Sequence, residues 1–279
     1  MAELTLFSMV EAVRRWRAGQ RGRVALVPTM GNLHAGHRAL IEAAVTQADA
    51  VVVSGFVNPT QFAPGEDYAS YPRTPEQDLA LMRDAGADAV FTPSVDEMYP
   101  FGADAATVIE VPALSGMLDG ASRPGHFRGV ASVVARLFGI VAPDVALFGE
   151  KDYQQLLVIR RMVRELFMPV AIVGVPSVRE ADGLALSSRN AYLAPDERAR
   201  APALHAALLA AAEAFRDGGE AAQIERDGLA ALKAAGFKPE YFAVREAASL
   251  EAPRPGEPCV ILAAGWLGKA RLIDNVRLD

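Results

Sequence analysis

The chain has 279 residues, 51% of them hydrophobic and 22% charged, with a formal net charge of −6. That composition supplies a large core and argues against a disordered chain, while the acidic balance argues against broad nucleic-acid binding, which needs a basic face. A lone cysteine, Cys259, excludes an intrachain disulfide and suits a reducing cytoplasm; the opening residues lack the pattern of a secretory signal, and no uncharged apolar run approaches the roughly 20 residues of a membrane helix.

The first two-thirds of the chain alternates short apolar runs with longer helical patterns. A helix is expected over Ser8–Ala18, then a strand over Arg23–Pro28, where β-branched residues end in Pro-Thr. A glycine-bearing turn follows, and a helix over Gly36–Ala48. The pattern continues with a strand at Ala50–Phe56, a helix at Thr74–Ala85, and strands at Ala89–Phe91 and Val108–Val111. It ends with a helix at Gly129–Val141, a strand at Val145–Phe148, a helix at Tyr153–Leu166 and a strand at Val170–Val175. This alternation predicts an α/β fold with a doubly wound, Rossmann-like parallel sheet. Beyond Val178 the pattern changes to an Ala-rich helix at Pro195–Arg216, a helix at Glu220–Ala235 and strands at Tyr241–Val244, Val260–Trp266 and Lys269–Ile273. Leu267-Gly268 is placed to turn the last two into a hairpin. Two parts are therefore expected: residues 1–177, a nucleotide-binding Rossmann-like domain, and residues 178–279, a small α+β domain.

The chemistry concentrates where predicted strands end. Two of the four histidines lie in the turn Met30-Gly31-Asn32-Leu33-His34-Ala35-Gly36-His37. A strand end running into a helix N-terminus is a place for phosphate, held by free N–H groups and the helix dipole, and imidazoles there can donate to phosphoryl oxygens. Zinc is the rival reading, disfavoured because no acidic or cysteine ligand is close in sequence. After the next strand, Asn58 and Gln61 suit a small hydroxy acid, or else form an Asn-Pro turn with a solvated Gln. Asp78 either sits in the first turn of a capped helix or helps hold a hydrated Mg²⁺ beside nucleotide phosphates. The loop Ser122–Gly129 reads most simply as a helix entry with two solvated arginines, which leaves His126 unexplained. Gly149-Glu150-Lys151-Asp152 again follows a strand, with Gln155 one helical turn past Lys151. Ser187-Ser188-Arg189 offers two hydroxyls and a guanidinium at the expected domain junction, which suits a phosphate clamp on a closing lid. No P-loop, dinucleotide fingerprint or nucleophile elbow is present.

These ordered clusters resemble the pantothenate synthetase (pantoate–β-alanine ligase) family of the nucleotidylyl-transferase superfamily, over nearly the whole chain. The resemblance implies ATP-dependent condensation of pantoate with β-alanine to pantothenate, AMP and pyrophosphate through a pantoyl adenylate, with Mg²⁺. It implies that Met30 through His37 cradle ATP, with His37 as proton donor and His34 and Lys151 as further catalytic groups. Gly149, Glu150, Lys151, Asp152, Val178 and Leu186 through Arg189 would complete the nucleotide site. Gln61, Gln155 and Asn58 would bind pantoate, and Gln61 β-alanine as well. Leu186 stands where the family usually has Met, a volume-conserving change. Gln77 before Asp78 departs from a common acid and weakens a magnesium role for that side chain. The resemblance further implies a cytoplasmic homodimer formed through the N-terminal domain, with small-molecule partners only.

Overall fold

The computed structural model describes residues 4–278. The chain divides into two compact units, one of Met1–Glu150 and Val158–Pro176, the other of Lys151–Leu157 and Ser177–Asp279.

In the first unit, β1 (Thr5–Phe7), β2 (Val24–Thr29), β3 (Ala50–Gly55), β4 (Ala89–Phe91), β5 (Val145–Gly149) and β6 (Ala171–Val175) form a parallel sheet in the order β1-β4-β3-β2-β5-β6. The helices are α1 (Val10–Gly19), α2 (Ala35–Val45), α3 (Pro75–Asp84), the single turns α4 (Val95–Met98), α5 (Pro112–Ser115) and α6 (Asp119–Ser122), then α7 (His126–Val141) and, from Val158 onwards, α8 (Tyr153–Glu165). Strands β2, β3 and β4 are nearly continuous apolar runs because the sheet is buried on both faces. On one face Ala25, Val27, Val51, Val53 and Val90 pack against Leu40, Ile41 and Ala44 of α2 and Met82 and Ala85 around the end of α3.

The strand order reverses beside β2. Its ladder to β3 runs from Val24↔Ala50 to Thr29↔Gly55, but its ladder to β5 stops at Leu26↔Ala146. Pro28, two residues on, has no N–H to give a neighbour, so β2 and β5 part there. This opens the sheet at the topological switch point, where ligands of open α/β sheets bind.

Two details differ from the sequence expectation in this unit. Val108–Val111 is not a strand. The Ile109 N–H donates to Ser132 Oγ at 2.8 Å and Arg136 donates to the Thr107 carbonyl at 2.6 Å, so side chains of α7 satisfy this backbone. Strand β1 was not expected; three residues are too few to show a period.

The second unit holds α9 (Pro195–Arg200), α10 (Ala203–Arg216), α11 (Ala221–Ala234) and the antiparallel strands β7 (Lys238–Glu246), β8 (Cys259–Leu267) and β9 (Ala270–Leu278), in that order in the sheet. The expected single helix over Pro195–Arg216 is broken ahead of Ala203, where Pro202 cannot continue the hydrogen-bond ladder. Gly268, at φ +56°, turns β8 into β9. Leu204 and Leu208 of α10, Leu232 of α11, and Phe242, Ile261 and Leu272 from the three strands share one core. Gly228 of α11 admits the Phe242 ring, which a Cβ there would meet at 2.5 Å.

Lys151–Leu157 lie with this second unit, where a single cut near residue 177 leaves them in the first. The reason is local. Asn275 Nδ2 of β9 donates to the Lys151 carbonyl at 3.0 Å, and Tyr153 Oη donates to the Ala247 carbonyl at 3.0 Å.

Candidate active site

The turn after β2 requires left-handed backbone at two consecutive residues, Gly31 at φ +79° and Asn32 at φ +50°. Glycine adopts this freely and asparagine tolerates it. Asp78, buried in the first turn of α3, braces the turn: its carboxylate accepts the N–H of Asn32 at 2.9 Å, the N–H of Leu33 at 2.8 Å and the Thr74 hydroxyl at 3.0 Å. Both oxygens are thereby committed to the loop. Among the described residues no three His, Cys, Asp or Glu side chains gather to hold a metal ion. Asp78 thus takes a bracing place in the turn.

His34 and His37 cap α2 reciprocally. His34 Nδ1 accepts the Gly36 N–H at 3.1 Å, and His37 Nδ1 accepts the His34 N–H at 3.2 Å. Their rings lie 4.1 Å apart at 45°. With both Nδ1 atoms acting as acceptors, each neutral ring carries its proton on Nε2.

Past β3, a 3₁₀ turn at Pro59–Gln61 sets two buried amides side by side. Asn58 Nδ2 donates to Gln61 Oε1 at 3.1 Å and to the Gly129 carbonyl at 3.2 Å, while Asn58 Oδ1 accepts from Tyr99 Oη at 2.6 Å. Gln61 Nε2 lies 3.2 Å from Met30 Sδ, joining this turn to the histidine turn. Gly129 is needed for the packing, since a Cβ there would lie 2.3 Å from the Thr60 carbonyl oxygen.

Beneath the amides, burial and the neighbouring Arg123 charge push the His126 imidazole down to about 4. Burial alone would raise Glu66, but its hydrogen bonds to Arg123 outweigh this and hold the carboxyl below its usual value. The unfolded chain, with His126 near 6.5, therefore takes up a proton before the folded chain does. Stability is expected to be fully present above about pH 6.5 and to fall towards pH 4, by on the order of 3 kcal/mol from this group. Urea unfolding across that range checks it: His126→Asn must remove that part of the slope, and an unchanged slope refutes the assignment.

In the second unit, Lys151 Nζ is 3.7 Å from the Asp152 carboxylate, and Gln155 is half-buried in the first turn of α8. The Leu186 N–H donates to the Val178 carbonyl at 3.0 Å, and Arg179 pairs in strand fashion with Ala185. This small hairpin leads into Ser187–Arg189, where Ser187 Oγ accepts the Arg189 N–H at 3.3 Å. Buried Asp274 of β9 grips the Arg179 guanidinium at 2.6 and 2.9 Å and so fixes the base of the hairpin.

The expected site residues are thus gathered in two groups. Met30–His37, Asn58, Gln61, Gly149 and Glu150 belong to the first unit, and Lys151, Asp152, Gln155, Val178 and Leu186–Arg189 to the second. Tyr99, Asp274 and Asn275 were not singled out in the sequence. Their partners stand 41 to 124 residues away, and no local pattern links them.

The model of the family described as pantoate-beta-alanine ligase matches residues 5–277. The chain belongs to the pantoate–β-alanine ligase family. A pantothenate synthetase of Shewanella amazonensis is 57% identical over 267 residues, covering 95% of each chain. The crystal structure of pantothenate synthetase from Thermus thermophilus superposes with a TM-score of 0.89 at 51% identity, covering 98% of both chains. The pantoate-β-alanine ligase of Francisella tularensis, complexed with beta-gamma ATP and β-alanine, gives a TM-score of 0.81 at 32% identity, covering 99% of this chain and 98% of that one. The chain is an enzyme of this ligase family, with the family's six-stranded parallel sheet and small antiparallel sheet among the described residues. No helix of the described residues is long and apolar enough to cross a membrane.

Proposed function

We propose that this ligase condenses pantoate with β-alanine at the expense of ATP, in two steps through pantoyl adenylate. The observation that carries the reading is the joining of the capped histidine turn, at the switch point of the sheet, to the buried amides Asn58 and Gln61 through Met30. ATP and β-alanine as substrates are supported by the ligands of the Francisella relative.

In the first step a pantoate carboxylate oxygen attacks the α-phosphorus, the bond to the bridging oxygen breaks, and pyrophosphate leaves. The substrate supplies the nucleophile, so the protein's work is positioning and neutralising charge. The Met30–His37 turn and Gly149–Asp152 cradle the nucleotide. His34 and His37 donate hydrogen bonds from Nε2, and Lys151 adds a point charge. Gln61, Asn58 and Gln155 hold pantoate. In the second step the β-alanine amine, placed by Gln61, attacks the acyl carbon; AMP leaves and the amine gives up a proton. Val178 and Leu186–Arg189 add contacts to the nucleotide, and the Ser187–Arg189 loop keeps water from the mixed anhydride. Magnesium enters with ATP as part of the substrate, since phosphate oxygens and water are its usual ligands. A cytoplasmic homodimer formed through residues 1–177 belongs to the same proposal, and sedimentation tests the dimer.

The decisive experiment is isotope exchange. Labelled pyrophosphate is expected to enter ATP when pantoate and Mg²⁺ are present and β-alanine is absent. Exchange that strictly requires β-alanine rules out the two-step scheme. Exchange without pantoate points instead to a nucleotidyltransferase acting on another acceptor.

A further inference from the structure

The loop Ser122–Gly129 has no part in the reaction above, yet it carries a chain of contacts aimed at Gln61. The Glu66 carboxylate grips Arg123 at 2.8 Å on Nε and 2.6 Å on Nη2. Arg123 Nη1 lies 3.1 Å from His126 Nε2. A guanidinium has no lone pair to offer, so it is the donor and His126 Nε2 the acceptor. The neutral ring then carries its proton on Nδ1, which donates to the Gln61 carbonyl at 2.8 Å. Gly125, at φ +83°, turns the chain so that α7 begins at His126. The Phe127 ring stands edge-on to the imidazole, with centroids 5.0 Å apart. One further turn along α7, Gly129 lies against Thr60 and Gln61, and its carbonyl takes the Asn58 amide.

We propose that Glu66, Arg123 and His126 form a positioning relay that fixes the main chain of Gln61 and thereby aims its side-chain amide at the acid substrate. Glu66 sets the guanidinium, the guanidinium selects the tautomer, and the tautomer supplies the one N–H that holds Gln61. The amide so aimed is poorly used within the protein. Gln61 Nε2 faces the Met30 thioether, a weak acceptor, while its Oε1 is held by Asn58. A carboxylate or hydroxyl oxygen replaces the sulfur at a gain, provided that the turn at Pro59–Gln61 does not rotate. His126 touches neither substrate nor reacting atoms in this account.

The inference rests on the pantoate-binding reading of Gln61, and two amide substitutions test it. An asparagine amide nitrogen sits close to the place of an imidazole Nδ1, and a glutamine amide nitrogen close to that of Nε2. His126→Asn keeps the donor to Gln61, whereas His126→Gln loses it at similar polarity. His126→Asn is expected to leave the pantoate KM within about threefold of wild type, and His126→Gln to raise it about tenfold or more. ATP affinity without pantoate, measured by calorimetry, is expected to be alike in both. Equal pantoate KM values in the two variants overturn the relay. If neither variant folds, ¹⁵N NMR of the wild-type imidazoles decides: His126 must be the Nδ1–H tautomer, and an Nε2–H ring refutes the proposal. A wild-type chain that makes no pantothenate defeats the functional reading alone, because the tautomer still reports on the relay.

Discussion

Replacing Lys151 with alanine is expected to lower kcat by about two to three powers of ten, a loss of roughly 3–4 kcal/mol of the kind measured for preorganised donors at developing charge. Its ammonium is a point charge on a flexible stem, only loosely matched at 3.7 Å to Asp152. In the proposed first step, negative charge moving onto departing pyrophosphate would give it a stronger partner. The folded state should hardly register the change. What ties this residue to β9 is its main-chain carbonyl, which accepts from Asn275 Nδ2, and alanine keeps that carbonyl. The ion pair itself, with Asp152 about half exposed, contributes little. Single-turnover kinetics and a thermal melt on the same preparation check both halves. Turnover close to wild type refutes the role, and a collapsed melt assigns the lysine to folding.

The second large effect is expected at the amides. Gln61→Ala and Gln155→Ala should each raise the pantoate KM by about ten- to a hundredfold, because unpaired polar groups in a dry crevice cost ~1–3 kcal/mol per lost partner. ATP affinity in the absence of pantoate should stay nearly constant. The two variants should differ towards the amine: loss of Gln61 also raises the KM for β-alanine, and loss of Gln155 does not. Gln61 carries an added structural cost, since removing Oε1 takes one acceptor from the buried Asn58 amide, so assays belong well below its melting temperature. Should ATP binding collapse while pantoate use is unaffected, the glutamines belong to the nucleotide site instead.

Most of the fold was legible because its signals are local. Val24–Thr29 and Ala50–Gly55 are apolar enough to announce buried parallel strands, and the helix lengths between them fit crossovers. The histidine turn was equally legible, since glycine, histidine and the following helix lie within eight residues. The partners that hold it were not. Asp78 carries a first-turn acid pattern and yet reaches back 45 and 46 residues to two amides. His126 looked idle in its loop because its purpose is a carbonyl 65 residues earlier. Lys151 sits next to Glu150 in sequence and in the other unit in space, because Asn275 binds its carbonyl from the far end of the chain. Each of these is a polar contact between distant segments, and neither periodicity nor composition encodes such a pairing.

The reciprocal cap of α2 gives His34 and His37 an architectural duty beside the proposed chemical one. Alanine at either position strands a main-chain amide at the helix start, at a cost of about 0.5–2 kcal/mol for a lost cap, while the other ring keeps its own main-chain donor. An alanine scan therefore cannot separate chemistry from architecture here. Asparagine separates them. It ranks among the best helix caps because its side-chain oxygen accepts the amide, but it is too short to present a donor where Nε2 stands. His34→Asn keeps the helix start and removes only the hydrogen that the proposed reading turns towards the phosphates, so that architecture and chemistry become two variables that can be adjusted one at a time.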